Sequence, residues 1–230
     1  GVALPSKYNT EESLVDARLL AENLDIEFKV IEIEEIVNIF RNTLKESVNE
    51  ELGQITDENI QSRVRGNILM ALSNQTGAMV VSTGNKSEMA VGYSTLYGDL
   101  AGGFALLKDL YKTEVYNLAN FRNSISNVIP QNTIDKEPSA ELRPNQFDKD
   151  SLPEYELLDE ILRMYIEEDS SSEKIIAAGI DENVVYDVLS KVDRNEYKRK
   201  QVAPGVKLTE KAFGKDRRMP ITNTYIRERG

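Results

Sequence analysis

The residues best suited to chemistry in this chain lie in the segment 82–99. The apolar run 78–81 before it is typical of a buried strand, and the polar residues after Gly84 are typical of a helix start. A strand that ends at Thr83 and opens a helix presents a hydroxyl and backbone N–H groups to a phosphate or a nucleotide. The first turn of that helix adds an amide, a cation and a carboxylate suited to magnesium, at Asn85, Lys86 and Glu88. From the spacing alone, an ordinary strand-to-helix turn closed by glycine explains the segment equally well.

The composition excludes several kinds of site. Because the chain has neither cysteine nor histidine, it has no disulfide, thiol nucleophile, Ser-His-Asp triad or imidazole base. Its net charge of −11, from 28 basic and 39 acidic residues, argues against a general nucleic-acid surface. The same charge is ordinary for a soluble protein whose helices expose many carboxylates. The sequence contains no run of 18 apolar residues, which a membrane span would need, and the first residues lack the pattern of a signal peptide. We therefore expect a cytoplasmic protein without a nucleic-acid or membrane partner.

Apolar patterns predict the elements that must position these residues. Short apolar runs at 2–4, 28–31 and 78–81 predict strands, and helical periodicity predicts helices between them. This alternation predicts an α/β fold with a doubly wound parallel sheet. Ligands of such sheets bind outside the carboxyl ends of the strands. The strand ends at 4–6 and 82–84 are therefore expected to face one pocket.

The chain divides into three predicted segments. Residues 1–122 are predicted to form a nucleotide-binding α/β core. The polar stretch 123–152 contains three prolines and no apolar periodicity, which favours a lid-like loop. Residues 153–230 are predicted to form a helical subdomain and a tail, because apolar residues recur at helical spacing after Pro153.

Several motifs, in this order, resemble the synthetase domain of glutamine-dependent NAD synthetases, which belong to the ATP-pyrophosphatase superfamily. The resemblance covers nearly the whole chain. The motifs are Asn-Ile-Gln-Ser-Arg-Val-Arg-Gly at 59–66, the segment 82–99, Lys-Asp-Leu-Tyr-Lys-Thr at 108–113, Pro-Ser-Ala-Glu-Leu-Arg-Pro at 138–144 and Phe-Gly-Lys-Asp-Arg-Arg-Met-Pro-Ile at 213–221. The resemblance implies the adenine nucleotide alpha hydrolase-like form of the α/β fold and a homo-oligomer, either a dimer or a larger assembly.

The resemblance also implies where substrates bind. The residues that match ATP contacts are Leu4, Thr83, Lys112 and Ser139. Those that match contacts to deamido-NAD are Asn59, Arg63, Glu88, Tyr93, Ser94, Thr95, Leu96 and Lys198. Glu88 also matches the magnesium (Mg2+) ligand, and Asp99 matches a carboxylate beside the incoming ammonia, so that Lys112 and Asp99 are the implied catalytic residues. Without the resemblance, Arg63 is interpreted as part of a solvated helix face and Asp99 as a turn residue after Gly98.

The implied reaction is the ATP-dependent amidation of deamido-NAD to NAD, with ammonia or glutamine as the nitrogen donor. The nicotinate carboxylate attacks the α-phosphate of ATP, pyrophosphate leaves, and ammonia displaces AMP from the acyl-adenylate. Lys112, magnesium and hydroxyl donors would stabilise the negative charge on the phosphates, and Asp99 would hold ammonium and accept its proton. The reaction needs no covalent nucleophile, which suits a chain without cysteine and histidine.

Two parts that the resemblance leads us to expect are missing from the sequence. The phosphate loop Ser-Gly-Gly-x-Asp-Ser is absent, and so is the glutaminase domain with its catalytic cysteine. We therefore expect a truncated synthetase domain that lacks its first central strand, is severely impaired as an enzyme alone, and has a fold that is incomplete or completed by a partner chain. Two alternatives stay open: another ATP-pyrophosphatase ligase, similar to GMP or asparagine synthetases, and a non-catalytic fragment that binds the dinucleotide and dimerises.

Overall fold

The computed structural model describes residues 1–222. Residues 223–230, the end of the predicted helical subdomain and tail, lie outside the described residues. The chain forms two compact units: the first unit comprises 1–78 and 116–151, and the second unit comprises 79–115 and the residues from 152 onward. The predicted segments 1–122, 123–152 and 153–230 follow other boundaries and stay a prediction.

The described strands are short and the helices are the larger part of the structure. The strands are β1 (Val2–Ala3), β2 (Lys29–Val30), β3 (Val81–Ser82) and β4 (Phe104–Ala105). The α-helices are α1 (Glu11–Asn23), α2 (Glu34–Val48), α3 (Gln54–Thr76), α4 (Lys86–Val91), α5 (Lys112–Ile125), α6 (Gln131–Asp135), α7 (Tyr155–Leu162), α8 (Ser172–Ala177), α9 (Glu182–Arg194) and α10 (Glu196–Arg199). A 3₁₀-helix covers Asp148–Asp150, and a π-helical turn at Arg163–Glu167 continues α7.

The strands are parallel, which agrees with the predicted α/β class. β1 pairs with β2, with Val2 opposite Lys29, and β3 pairs with β4, with Val81 opposite Phe104. In residues 1–222 these pairs form two separate two-stranded sheets. A single doubly wound sheet is therefore not confirmed and stays a prediction.

The prediction of a buried strand at 78–81 is wrong in part. The strand exists but is only β3, and the side chains of Met79 and Val81 are 66% and 49% exposed. A two-residue strand with one paired neighbour covers little apolar surface, so hydrophobicity alone does not bury this run. Ser82, which follows it, is the buried residue of the strand.

The first unit has a core of apolar side chains from β1, α2 and α3. Its buried members are Leu4, Ile33, Val37, Ile60 and Val64. α1 begins at an N-cap, Thr10, whose hydroxyl accepts the Ser13 N–H at 3.3 Å. The apolar stripe of α3 thus packs in this core through Ile60 and Val64, whereas α2 buries Val37 and leaves the apolar side chains of Ile36, Ile39 and Phe40 exposed.

The second unit has a core that helices dominate. Apolar residues of α7 and its π-helical continuation recur at helical spacing and are buried, as the sequence predicts: Tyr155, Leu158, Ile161, Leu162 and Tyr165. The N-caps of α8 and α9 are Ser171 and Asp181, whose side chains accept backbone N–H groups of the first turn. Among the helices of residues 1–222, none has both the length and the apolar character needed to cross a membrane.

Candidate active site

α4 begins with a capping box that uses two of the side chains singled out in the sequence. The N–H of Glu88 donates to Asn85 Oδ1 at 3.0 Å, and the N–H of Asn85 donates to Glu88 Oε2 at 3.2 Å. This reciprocal pair satisfies two N–H groups that a helix start otherwise leaves without partners. Thr83 precedes the cap and is exposed at the end of β3. The predicted strand-to-helix turn is therefore confirmed, and the Asn85 amide is used to cap the helix.

Glu88 and Lys112 form an ion pair at the start of two helices. Lys112 Nζ lies 3.2 Å from Glu88 Oε1, and each side chain keeps 21% of its surface exposed. Burial raises the pKa of the Glu88 carboxyl, and this effect opposes the lowering by Lys112 and by the bonds from Asn85. The ammonium also lies 5.2 Å from the centroid of the Tyr155 ring. The structure thus places Lys112, the predicted contact of the ATP phosphates, against Glu88, the predicted magnesium ligand.

Asp159, on α7, lies behind this pair and was not predicted from the sequence. Its Oδ1 accepts the Ser87 hydroxyl, and its Oδ2 accepts the Thr113 N–H at 2.9 Å and the Thr113 hydroxyl at 2.8 Å. Burial raises the pKa of the Asp159 carboxyl, as does nearby Glu114, whereas these three donors lower it. An aspartate one turn after Tyr155, within the apolar stripe of α7, is the signal that could have identified it.

Lys86 points into the protein and not toward a ligand. Its side chain is fully buried, with Nζ 3.1 Å from Asp109 Oδ1 and 3.0 Å from Glu167 Oε1. Nζ also donates to the Thr209 hydroxyl at 2.6 Å and to the Lys211 carbonyl at 3.0 Å. The expectation that Lys86 supplies a cation for a nucleotide is therefore wrong, because this ammonium already has two carboxylates and two oxygen acceptors.

The end of α4 is closed by a glycine and by two side chains from the C-terminal helices. Gly92 has φ of +73°, and a Cβ there would lie 2.1 Å from the side chain of Asn195, so only glycine fits. Asn195 Nδ2 donates to the Val91 carbonyl at 2.9 Å. Lys198 Nζ donates to the carbonyls of Gly92 at 2.6 Å and Ser94 at 2.7 Å. Burial lowers the pKa of Lys198, and the Asp99 carboxylate opposes that shift.

The turn after α4 brings several predicted dinucleotide contacts close to each other. The N–H of Thr95 donates to Asp99 Oδ1 at 2.7 Å. Thr95 is buried and Asp99 is exposed, so this carboxylate both shapes the turn and faces solvent. Tyr93 packs against the core of the second unit, and Leu96 packs against Met89 and neighbouring apolar residues. Lys198 contacts this turn through the Ser94 carbonyl.

The other predicted site residues belong to the first unit. Leu4 is buried, and its carbonyl accepts Arg65 Nε at 2.9 Å. On α3, Arg63 is exposed and Asn59 is half-buried, while Ile60 and Val64 of the same helix enter the core. This agrees with the predicted polar face of α3.

Hydrogen bonds fix the conformation of the segment around Ser139 in the first unit. The Ser139 hydroxyl donates to the Gln146 carbonyl at 2.5 Å and accepts the Glu141 N–H at 3.1 Å. The Glu141 carboxylate in turn accepts the Ser13 hydroxyl at 2.7 Å and Lys136 Nζ at 2.8 Å. Part of the predicted lid-like stretch therefore has a defined conformation with a carboxylate held at the start of α1.

The carboxylates near α4 suit magnesium only when phosphate oxygens complete its coordination. Within residues 1–222, no group of three or more acidic side chains is placed to hold a metal by itself. Mg2+ is commonly bound through one or two carboxylates together with substrate phosphates. Glu88 is a partly exposed oxygen ligand beside Lys112, so it fits an ion that phosphate oxygens share. An all-protein cage does not fit.

Both the sequence and the fold are similar to those of known proteins. Residues 1–202 match the sequence model of the NAD synthase family. Glutamine-dependent NAD(+) synthetases of Aquifex aeolicus and Thermotoga maritima are each 53% identical over 227 residues, which is 99% and 98% of this chain but 40% and 39% of those proteins. A solved glutamine-dependent NAD+ synthetase from Acinetobacter baumannii, in complex with adenosine diphosphate, is 46% identical with a TM-score of 0.58 and covers 99% of this chain and 41% of that one.

The chain thus spans about two fifths of the length of the relatives it matches. The resemblance drawn from the motifs is confirmed, because one family model covers most of the sequence and the relatives align over nearly all of it. The Glu88–Lys112 pair and the turn 93–99 lie inside the matched residues. On these grounds, the chain belongs to the NAD synthase family.

Proposed function

We propose that the full-length protein amidates deamido-NAD to NAD with ATP, and that this chain supplies residues of its synthetase site. The observation that carries the proposal is the Glu88–Lys112 pair, a partly exposed cation and a partly exposed carboxylate joined at 3.2 Å where α4 and α5 begin. Such a pair offers one group to phosphate oxygens and the other to a metal ion. Guided by the family match, we assign the ATP phosphates to Lys112 and the magnesium ion to Glu88.

The reaction proceeds in two steps. The nicotinate carboxylate attacks the α-phosphate of ATP, the bond to the pyrophosphate breaks, and an acyl-adenylate forms. Ammonia then attacks the acyl carbon, AMP leaves, and the amide loses a proton. Magnesium, when bound, neutralises charge on the phosphates and polarises them. Lys112 stabilises the negative charge that develops on the phosphate oxygens as the bond to pyrophosphate breaks, and the partly desolvated site strengthens that interaction.

Asp99 is the proposed acceptor of the proton from ammonium. Its carboxylate is exposed and is oriented by the Thr95 N–H, so it offers a fixed negative charge to an incoming cation. Lys198, whose ammonium donates to the Ser94 carbonyl, holds the conformation of the turn 93–96. We assign the remaining contacts by the same match: deamido-NAD to Asn59, Arg63, Glu88, Tyr93, Ser94, Thr95, Leu96 and Lys198, and ATP to Leu4, Thr83, Lys112 and Ser139.

The rest of the full-length protein is proposed to contain a glutaminase domain that supplies ammonia, since the relatives of about two and a half times this length are named glutamine-dependent. A cytoplasmic homo-oligomer, either a dimer or a larger assembly, is part of the same proposal. The 230-residue chain alone is proposed to bind the dinucleotide but to turn over poorly. Its sequence contains no Ser-Gly-Gly-x-Asp-Ser loop to position the ATP phosphates, and positioning is a large share of adenylyl-transfer catalysis. A different ATP-pyrophosphatase ligase is disfavoured by the family match.

The test is an assay of the full-length protein with ATP, magnesium, deamido-NAD and either ammonium or glutamine. NAD is followed with a coupled dehydrogenase, and AMP is measured in parallel. We expect NAD and AMP in equal amounts with at least one nitrogen donor. Failure to form NAD with both donors, under conditions where the protein is folded, would refute the proposed function.

A further inference from the structure

We propose that Asp159 is a positioning residue that sets the geometry of the Glu88–Lys112 pair through Ser87 and Thr113. The inference rests on the proposed function, because it assigns Asp159 to the site in which Lys112 meets the phosphates. It concerns residues of the second unit alone. Asp159 is buried on α7, so we assign it an effect that passes through the two helix starts that it holds.

The hydrogen-bond directions around Asp159 are fixed by chemistry. An ionised carboxylate only accepts, so the Ser87 and Thr113 hydroxyls donate to it, together with the Thr113 N–H. While its O–H donates to Asp159, the Ser87 oxygen uses a lone pair to accept the Lys112 N–H at 2.9 Å. A continuous chain of hydrogen bonds therefore runs from Asp159 through Ser87 to the backbone of Lys112.

Each half of the ion pair is held at the neighbouring residue. Ser87 is adjacent to Glu88 in the first turn of α4, and Thr113 is adjacent to Lys112 at the start of α5. The first N–H groups of an α-helix have no partner within the helix. In α5, those of Lys112 and Thr113 are taken by Ser87 and Asp159, so both helix starts are fixed to one carboxylate. Tyr155, whose ring faces the Lys112 ammonium, lies one turn before Asp159 on the same helix.

The arrangement explains an otherwise costly feature of the core. Asp159 is only 3% exposed among apolar residues of α7, and a buried carboxylate is expensive unless it is fully hydrogen-bonded. Hydrophobic packing alone would be served better by leucine at this position. A carboxylate placed here satisfies donors from two different helices, and both of those helices carry a member of the Glu88–Lys112 pair.

The experiment uses the full-length protein and compares Asp159→Asn with Asp193→Asn. Asp193 is a matched control, since it is an equally buried aspartate on α9 whose carboxylate accepts the Tyr165 hydroxyl at 2.7 Å. We expect Asp159→Asn to lower kcat for NAD formation by about 10- to 100-fold, the scale of a misplacement of about 1 Å at a reacting group. Asp193→Asn is expected to change thermal stability and to leave kcat within about twofold.

A double-mutant cycle on ATP affinity separates positioning from a general structural role. ATP binding is measured by calorimetry for Asp159→Asn, Lys112→Ala and the combination. We expect Asp159→Asn to weaken ATP binding in the parent and to have almost no further effect in the Lys112→Ala background. An equal loss in both backgrounds, or a kcat unchanged by Asp159→Asn, would overturn the inference.

Two further variants keep the test decisive if Asp159→Asn folds poorly. Ser87→Ala removes the link to the Lys112 N–H and leaves the carboxylate in place, whereas Thr113→Ser retains both donors to Asp159. A loss of activity in Ser87→Ala with retention in Thr113→Ser supports the inference, and parent-like activity in Ser87→Ala refutes it. If Lys112→Ala itself left ATP affinity and NAD formation unchanged, the proposed role of the pair would fail and the inference with it. A loss in Lys112→Ala without a loss in Asp159→Asn would refute the inference alone.

Discussion

Replacing Lys86 with methionine should release the C-terminal segment 205–213 from the second unit. The Lys86 ammonium is fully buried and joins Asp109, Glu167 and Thr209. Asp109 also accepts the N–H groups of Leu208 at 2.7 Å and Thr209 at 2.8 Å. One ammonium therefore connects the first turn of α4 to a segment more than a hundred residues later in the chain.

The size of the effect follows from what the substitution leaves behind. Removing one partner of a buried ion pair costs about 3–5 kcal/mol, because the other charge stays buried without compensation. Asp109 retains its donors from Leu208 and Thr209, and Glu167 is partly exposed and can turn to solvent. We therefore expect the lower end, about 3 kcal/mol, which corresponds to about a hundredfold change in an opening equilibrium.

Hydrogen exchange followed by mass spectrometry on peptides covering 205–213 measures that opening directly. Lys86→Met should raise exchange there by about a hundredfold, and adding Asp109→Asn should recover part of the loss because the uncompensated charge is gone. Lys191→Met is the control, since Lys191 pairs with Asp187 on the exposed face of α9 at 2.6 Å and such pairs contribute about 0.5 kcal/mol. Exchange in Lys86→Met no faster than in the Lys191 control would refute the account of Lys86 as a buried connection.

Three other outcomes are expected. Lys112→Ala in the full-length protein should reduce pyrophosphate release at saturating ATP by the equivalent of about 2–4 kcal/mol without unfolding it, and a rate within a few-fold of the parent would contradict the assignment. Amides in 123–152 should become more protected from exchange when ATP and deamido-NAD are added, because a lid is ordered by its ligand; equal exchange in both states would remove the lid hypothesis. The pKa of Asp109 is lowered, since burial, which raises it, is outweighed by the bonds from Thr209 and Leu208 and by Lys86. Its stabilising effect is therefore complete above its unfolded pKa of about 3.9 and is lost as the pH falls through the lower folded value, so the urea midpoint of Asp109→Asn should lie below that of the parent at pH 7 and approach it in acid.

Local patterns predicted the parts of the structure that local interactions determine. The helical spacing after Pro153 predicted the buried face of α7 correctly, because amphipathic periodicity directly reports which residues enter a core. The motif 82–88 predicted the strand-to-helix turn, because contiguous residues determine such a turn.

The misplaced features depend on contacts between distant residues. The run 78–81 is as apolar as a buried strand, but β3 pairs with β4 alone and leaves Met79 and Val81 exposed. Asp159 holds Ser87 and Thr113 from a position more than 40 residues later, and no pattern within α7 specifies those partners. Apart from the unexpected aspartate in an apolar stripe, the sequence contains no signal for this connection.

Burial distinguishes Lys86, the cation that the helix start at 84–88 suggested, from Lys112, the cation that the family resemblance implied. Lys86 has no exposed surface and is surrounded by oxygens of the protein, so exchanging those partners for a phosphate would require opening the core. Lys112 and Glu88 each keep about a fifth of their side chains exposed, which leaves both groups accessible to the phosphate and the metal ion that the proposed function assigns to them. In a chain of net charge −11, a permanently unpaired lysine would attract surplus carboxylates. Under the proposed function, pairing Lys112 with a carboxylate that can itself change partners would keep the cation in place before the nucleotide binds and available afterwards.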